Sequence, residues 1–147
     1  MDLQGKNVVV TGSTGGIGRE VVKLLDSENA NLILLSKSAE ELETLSRELK
    51  NTPMSFPCNF AVPSEIEKAG KEISKKFKKI DALINAAGIG IYKPIDEATL
   101  EEWNDSMNIN ATSQFILIRC LIKNLKKAHG SVVINIGSGA GVIPMEW

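Results

Sequence analysis

The sequence predicts an α/β fold, a doubly wound parallel sheet with helices on both faces, running to about the fifth strand. Three observations carry this. Short apolar runs alternate with amphipathic helical patterns along most of the 147 residues. The runs are β-branched or Leu-rich and bounded by turn residues, as strands buried on both faces should be. Between them, hydroxyl residues stand three positions ahead of glutamates, a pattern that starts helices.

Taken in order, "NVVVTG" (Asn7 to Gly12) is the first strand, and a helical pattern follows through Leu25. "NLILLS" (Asn31 to Ser36) is the second strand, followed by a helix that Ser38 and Glu41 start and Leu42, Leu45 and Leu49 stripe. "MSFPCNF" (Met54 to Phe60) is a weaker strand, where Pro57 favours a sheet edge or a strand end. Ser64 with Glu67 predicts the next helix start, and Ile66, Ala69, Ile73, Phe77 and Ile80 give its apolar face. "DALINAAG" (Asp81 to Gly88) is a strand, Thr99 with Glu102 starts a helix, and a further helix runs from about Asn110 to Ala128. That helix ends in "KKAHG", where Lys126, Lys127 and His129 face the negative end of the dipole and Gly130 caps it. "SVVINIGS" (Ser131 to Ser138) is the last strand.

Length and composition bound the function. With 43% hydrophobic and 24% charged residues the chain reads as one ordinary globular domain. A net charge of -1, from 17 basic and 18 acidic residues, supplies no field for nucleic acid or an anionic membrane. Cys58 and Cys120 stand apart with no CxxC and one histidine in the chain, which implies neither a metal site nor a disulfide framework. Both read as small buried apolar groups. "MDLQGKNVVV" has an acid at position two and only a short apolar run, unlike a signal peptide or membrane anchor, so the cytoplasm is the expected location.

The chemistry starts in "VVVTGSTGGIGREVVKLL", which puts Gly12, Gly15, Gly16 and Gly18 into seven residues. Such a cluster marks a backbone that bends sharply or approaches something closely. In an open parallel sheet ligands sit outside the carboxyl ends of the strands, where this turn lies. A phosphate there would meet free amide donors and the positive end of the following helix. A tight turn with no ligand is the competing explanation of the glycines. No Gly-Lys-Ser/Thr follows, which excludes the nucleotide-triphosphate loop, and Val21 stands where GxGxxG would put its last glycine. The string that remains is TGxxxGxG.

"TGSTGGIG", Thr11 to Gly18, resembles the cofactor loop of the short-chain dehydrogenase/reductase family, whose members carry NAD or NADP on a Rossmann fold. "NAAG", Asn85 to Gly88, is similar to that family's NNAG, with Ala86 in place of one asparagine. "MNINATSQF" resembles its asparagine segment around Asn110, and "INIGSGAG" the strand that delivers its catalytic serine, here Ser138. Gly15 also lets the loop fit the TGxxGxxG of extended members, but the NAAG and the Asn110 segment favour the short single-domain branch. The resemblance implies that residues 1–147 are an NAD(P)-binding Rossmann domain without the family's C-terminal catalytic helix and substrate segment.

It also implies roles. The loop residues Gly12, Ser13, Thr14, Gly16, Ile17 and Gly18 would hold the cofactor, with Asn59 and Phe60 on the adenine side and Asn85, Ala86 and Gly88 along the nicotinamide ribose. At the end of the second strand an NAD site usually offers a carboxylate to the ribose hydroxyls, whereas a 2′-phosphate needs that charge gone and a cation nearby. Ser36 and Lys37 stand there, so NADP(H) is favoured over NAD(H); a solvated surface lysine is the other reading of Lys37.

Hydride transfer to a carbonyl gathers negative charge on oxygen, which calls for donors and a proton source. By resemblance Ser138 is a donor and Asn110 anchors a proton relay, acting on a small carbonyl or secondary alcohol. The family's tyrosine acid/base and the lysine four residues later have no counterpart: the one tyrosine is Tyr92, with Asp96 four residues on. The pair is expected a short way past Trp147. A cofactor-holding module without turnover, and an assembly partner whose glycine turn is structural, are the alternatives. Were Trp147 the terminus, the strand ending near Ser138 would be an exposed edge, and the helix through Phe115, Ile118, Ile122 and Leu125 would lack a packing partner. Poor solubility or reliance on a partner chain is expected on that account, and a homo-oligomer by analogy with the family, with Gly90 to Pro94 and Gly139 to Met145 as substrate lining.

Overall fold

The computed structural model describes residues 2–141; the expected lining from Val142 to Met145, and Trp147, lie outside them. The chain runs β1 (Asn7–Thr11), α1 (Gly16–Ser27), β2 (Asn31–Ser36), α2 (Ala39–Glu48), β3 (Met54–Pro57), α3 (Pro63–Lys76), β4 (Ala82–Asn85), α4 (Leu100–Met107), α5 (Ser113–Lys127) and β5 (Val132–Asn135). Every strand pairing is parallel, in the order β3-β2-β1-β4-β5. The direction of winding therefore reverses between β1 and β4, which opens a crevice at their carboxyl ends.

Period-two alternation explains why helices cover both faces. Val8, Val10, Leu32, Leu34 and Ile84 point to one side, where Val22 and Leu25 of α1 and Leu42 and Leu45 of α2 meet them. Val9, Ile33, Leu35 and Leu83 point to the other, against Ile66 and Ile73 of α3 and Leu117 and Leu121 of α5. β1 and β2 are apolar on successive residues because each successive residue enters a different core. Cys58 lies in the second core, where burial, and then the charge of Glu65, push its thiol up to about 12. Both cysteines are free thiols, Cys120 being half-buried.

Two helix starts follow the sequence pattern. Ser38 caps α2 by accepting from the Glu41 N–H, and Thr99 with Glu102 closes a reciprocal capping box on α4. The third differs: α3 starts at Pro63 with Val62 as its cap and no side-chain capping bond. Proline's fixed φ suits the first helical position, so the helix begins one residue before Ser64. Glu67 is then free to pair with Arg119 and Lys71.

The helix expected from Asn110 is preceded by a π-helical turn, Asn108–Thr112, that joins α4 to α5. At the other end of α5 the cap is Ala128, and Gly130 takes a left-handed φ of 78° two residues on. β3 ends at Pro57 on one sheet edge, as the proline requires. β5 forms the opposite edge among the described residues, with Val133 and Ile134 exposed. Phe115 and Ile122 are exposed on α5, whereas Leu125 is buried and Ile118 packs against the core. No helix among the described residues is long and apolar enough to cross a membrane.

Candidate functional site

Parallel register aligns the candidate residues. Thr11 stands opposite Leu35 on one side and Asn85 on the other, and Asn85 stands opposite Asn135. Thr11, Asn85 and Asn135 thus form one row across the carboxyl end of the sheet, with Ser36 one residue beyond. Thr11 ties two strands together there. Its Oγ1 accepts from both Ala86 N–H and Ala87 N–H at 3.1 Å, fixing the turn after β4.

The glycines divide by what surrounds them. Gly12 has φ 61°, and a Cβ on it would come within 2.7 Å of the Ala87 Cα. A Cβ on Gly18 would come within 2.1 Å of the Gly12 carbonyl oxygen. Both are glycine because the turn after β1 folds back against its own helix and against the turn after β4. Gly16 is different: a Cβ there would meet nothing within 4 Å. It heads α1, whose N-cap is Gly15 and whose first amides receive no side-chain cap. No acidic residue occupies that first turn. A positively polarised helix end with open space over a glycine fits a phosphate group.

The remaining loop residues are placed as follows. Ser13 is fully buried, its Oγ donating to the Leu35 carbonyl at 3.2 Å, so its hydroxyl serves the sheet. Thr14 points toward β2, with its Oγ1 2.6 Å from Ser36 Oγ and donating to Glu41 Oε2 at 2.8 Å. These residues adjoin a cavity of about 410 Å³ lined by Thr14, Arg19, Ser38, Glu40, Glu41 and Thr44. Lys37 is exposed beside it in sequence. Asn59 accepts from Ala61 N–H, while its own N–H donates to Glu65. The Phe60 ring is buried in the core, which leaves a nucleotide only its main-chain groups.

A larger cavity, about 1120 Å³, brings together Ile17, Ala86, Gly88, Asn110 and Ser138. Asn110 comes from the π-helical turn and grips the loop after β4 through both main-chain polar groups of one residue, Ile89. Its Nδ2 donates to the Ile89 carbonyl at 2.9 Å, and its Oδ1 accepts from the Ile89 N–H at 2.9 Å. Gly88 leaves room for this, since a Cβ there would lie 3.2 Å from Asn110 Oδ1. Ser138 is exposed, its Oγ accepting from Ala140 N–H at 3.2 Å. Tyr92 and Lys93 line the same space, and the Lys93 ammonium, followed by the Thr99 N–H, holds the Glu102 carboxyl down at about 2. Trp103 lines it too, from the exposed side of α4.

Asn85 joins the row from within. Its Nδ2 donates to Asn135 Oδ1 at 2.8 Å, while its own Oδ1 is buried with no hydrogen-bond partner among the described residues. This leaves one buried acceptor unmet at the carboxyl end of a central strand. Sequence reasoning missed Thr11, Asn135 and Glu41, each of which works through a neighbour that only the strand register or helix placement reveals.

The family model for short chain dehydrogenase matches residues 6–147. The chain belongs to the short-chain dehydrogenase family. Its similarity extends to D-threitol dehydrogenase of Mycolicibacterium smegmatis, 26% identical over 98% of this chain and 56% of the relative. It is 32% identical to 3-oxoacyl-(acyl-carrier-protein) reductase of Vibrio cholerae, over 97% of this chain and 59% of the relative. This family chain therefore spans little more than half the length of these curated relatives. Among solved structures, a metagenomic short-chain oxidoreductase in complex with NADP superposes with TM-score 0.90 at 27% identity, covering 99% of this chain and 66% of that one. A blue fluorescent protein from a metagenomic library, in complex with NADPH, gives TM-score 0.85 at 29% identity, covering 94% and 57%.

Proposed function

We propose that this chain forms the dinucleotide-binding part of an oxidoreductase that exchanges hydride between a nicotinamide and a small carbonyl or secondary alcohol, with NADP(H) preferred over NAD(H). The observation that carries the reading is Gly16: the chain itself gives no reason for a glycine there, and the open space lies over the uncapped start of α1. The orphaned Asn85 oxygen in the same crevice supports it. Ser36 in place of a carboxylate, with Lys37 beside it, supports the phosphorylated cofactor, as does the NADP or NADPH bound in the two solved neighbours.

When bound, the nicotinamide cofactor supplies the hydride. The amides of Gly16, Ile17 and Gly18 would orient its phosphates, while Gly12 lets the turn after β1 close on Ala87 and Gly88 leaves room for Asn110 beside it. Gly12, Ser13 and Thr14 form the turn, Ser13 by anchoring it on Leu35 and Thr14 by reaching Ser36. Asn85 and Ala86 would lie along the nicotinamide ribose, and Asn59 and Phe60 near the adenine. Ser138 would donate its hydroxyl to the substrate oxygen as charge builds there. Asn110 keeps the floor of that site in place by holding Ile89. The tyrosine and lysine expected of the family have no counterpart in residues 1–147. The exposed β5 edge and the Phe115 and Ile122 face of α5 fit packing against further polypeptide.

Titration of NADPH and NADH into the protein, followed by nicotinamide fluorescence, tests the reading. Saturable binding with NADPH the tighter is expected, and absence of binding by both overturns it.

A further inference from the structure

From Glu41 and Thr14 in the wall of the cavity beside the end of β2, a chain of hydrogen bonds runs inward to the buried Ser36, and its direction can be worked out. Thr14 Oγ1 donates to Glu41 Oε2 at 2.8 Å and lies 2.6 Å from Ser36 Oγ. A threonine hydroxyl has one proton, and a carboxylate only accepts. The Thr14 proton is therefore committed to Glu41, and the short contact to Ser36 requires Ser36 to be the donor. Ser36 is then left with lone pairs alone. It can accept from a ribose hydroxyl, but it has no proton for a phosphate oxygen.

Glu41 is held in this position by its own helix. It is the third residue of α2, and its N–H donates to the Ser38 cap at 3.2 Å. Glu40 lines the same cavity, and the Arg19 guanidinium that reaches it is already paired with Glu48. The cavity thus carries two carboxylates against one engaged cation.

We propose that Glu41 is a positioning residue for cofactor choice: through Thr14 it fixes the Ser36 proton away from the ribose 2′ position and restrains the preference for 2′-phosphorylated adenine nucleotides. This rests on the reading that places the adenosine ribose at the end of β2. Replacing Glu41 with Gln permits the reverse relay, because the amide can donate to Thr14, Thr14 to Ser36, and Ser36 to a phosphate. The substitution is on an exposed position, so the fold is not at stake.

The test measures dissociation constants of 2′,5′-ADP and 5′-AMP at an ionic strength of about 0.5 M, which screens direct charge repulsion. Their ratio cancels any loss of folded protein. Glu41→Gln is expected to shift the ratio about tenfold toward 2′,5′-ADP, as a gained charge-assisted hydrogen bond would. Adding Ser36→Ala to that variant is expected to return the ratio to within about twofold of wild type, since the gain runs through the serine proton. An unchanged ratio in Glu41→Gln overturns the proposal, and so does a gain that survives Ser36→Ala, which would be charge removal alone. Wild-type protein that binds neither nucleotide overturns the underlying cofactor reading, a result distinct from both.

Discussion

Gly18 faces the carbonyl oxygen of Gly12 so closely that a Cβ would lie 2.1 Å from it, whereas a Cβ on Gly16, two residues earlier, would touch nothing. Two glycines of one motif thus have different causes. One is required by the fold, and the other is not. Gly18→Ala forces the turn apart and should lower unfolding stability by about 1–3 kcal/mol, the range for overpacking a tight site. Chemical denaturation without nucleotide checks this, and unaltered stability would contradict it.

Thr11 Oγ1 accepts from two backbone amides of the turn after β4. Thr11→Val keeps the side-chain volume but leaves both N–H groups without that partner. An unsatisfied buried donor costs about 1–3 kcal/mol, and these two are half-buried, so the variant should be destabilised by up to about that much. Amide exchange at Ala86 and Ala87 should speed up more than exchange in α2, which is remote from the bond.

Glu102 closes the cap of α4 and binds Lys93 at 2.6 Å. The hydrogen bond from Lys93, then that from the Thr99 N–H, lower its pKa from 4.5 to about 2. A depressed carboxyl stabilises the folded state above its ordinary value, and that contribution fades as pH falls from 4.5 through about 2. Carbon-13 titration of the Glu102 side chain should show its midpoint near 2, and a midpoint near 4.5 would mean the Lys93 contact is not formed in solution.

The sheet was legible because its strands enter two cores at once, which leaves unbroken apolar runs such as Val8 to Val10 and Leu32 to Leu35. The glycine turn was legible because phosphate approach and sharp bending both demand glycine in a short span. Less could be read where a choice is made between neighbours. Pro63 began α3 ahead of a hydroxyl–glutamate pair that had the same spacing as the two real caps. The π-helical turn that presents Asn110 leaves no periodic signal, since it inserts into an otherwise continuous helical pattern. Glu41 looked like an ordinary first-turn carboxylate of α2, and only its reach to Thr14 connects it with the site.

The most direct test of the cofactor site is a calorimetric titration of NADPH into wild-type protein and Gly16→Ala, paired with thermal melts of both without nucleotide. Beyond its chain neighbours and its own helix backbone, a Cβ at Gly16 meets no atom of the described residues within 4 Å, and alanine suits a helix better than glycine, so stability should be unchanged or slightly raised. NADPH affinity should fall by about tenfold or more, because the methyl group takes the space where the phosphate meets the α1 amides. Equal NADPH affinity in the two proteins, or a variant that loses binding only because it no longer folds, would contradict the site proposed over α1.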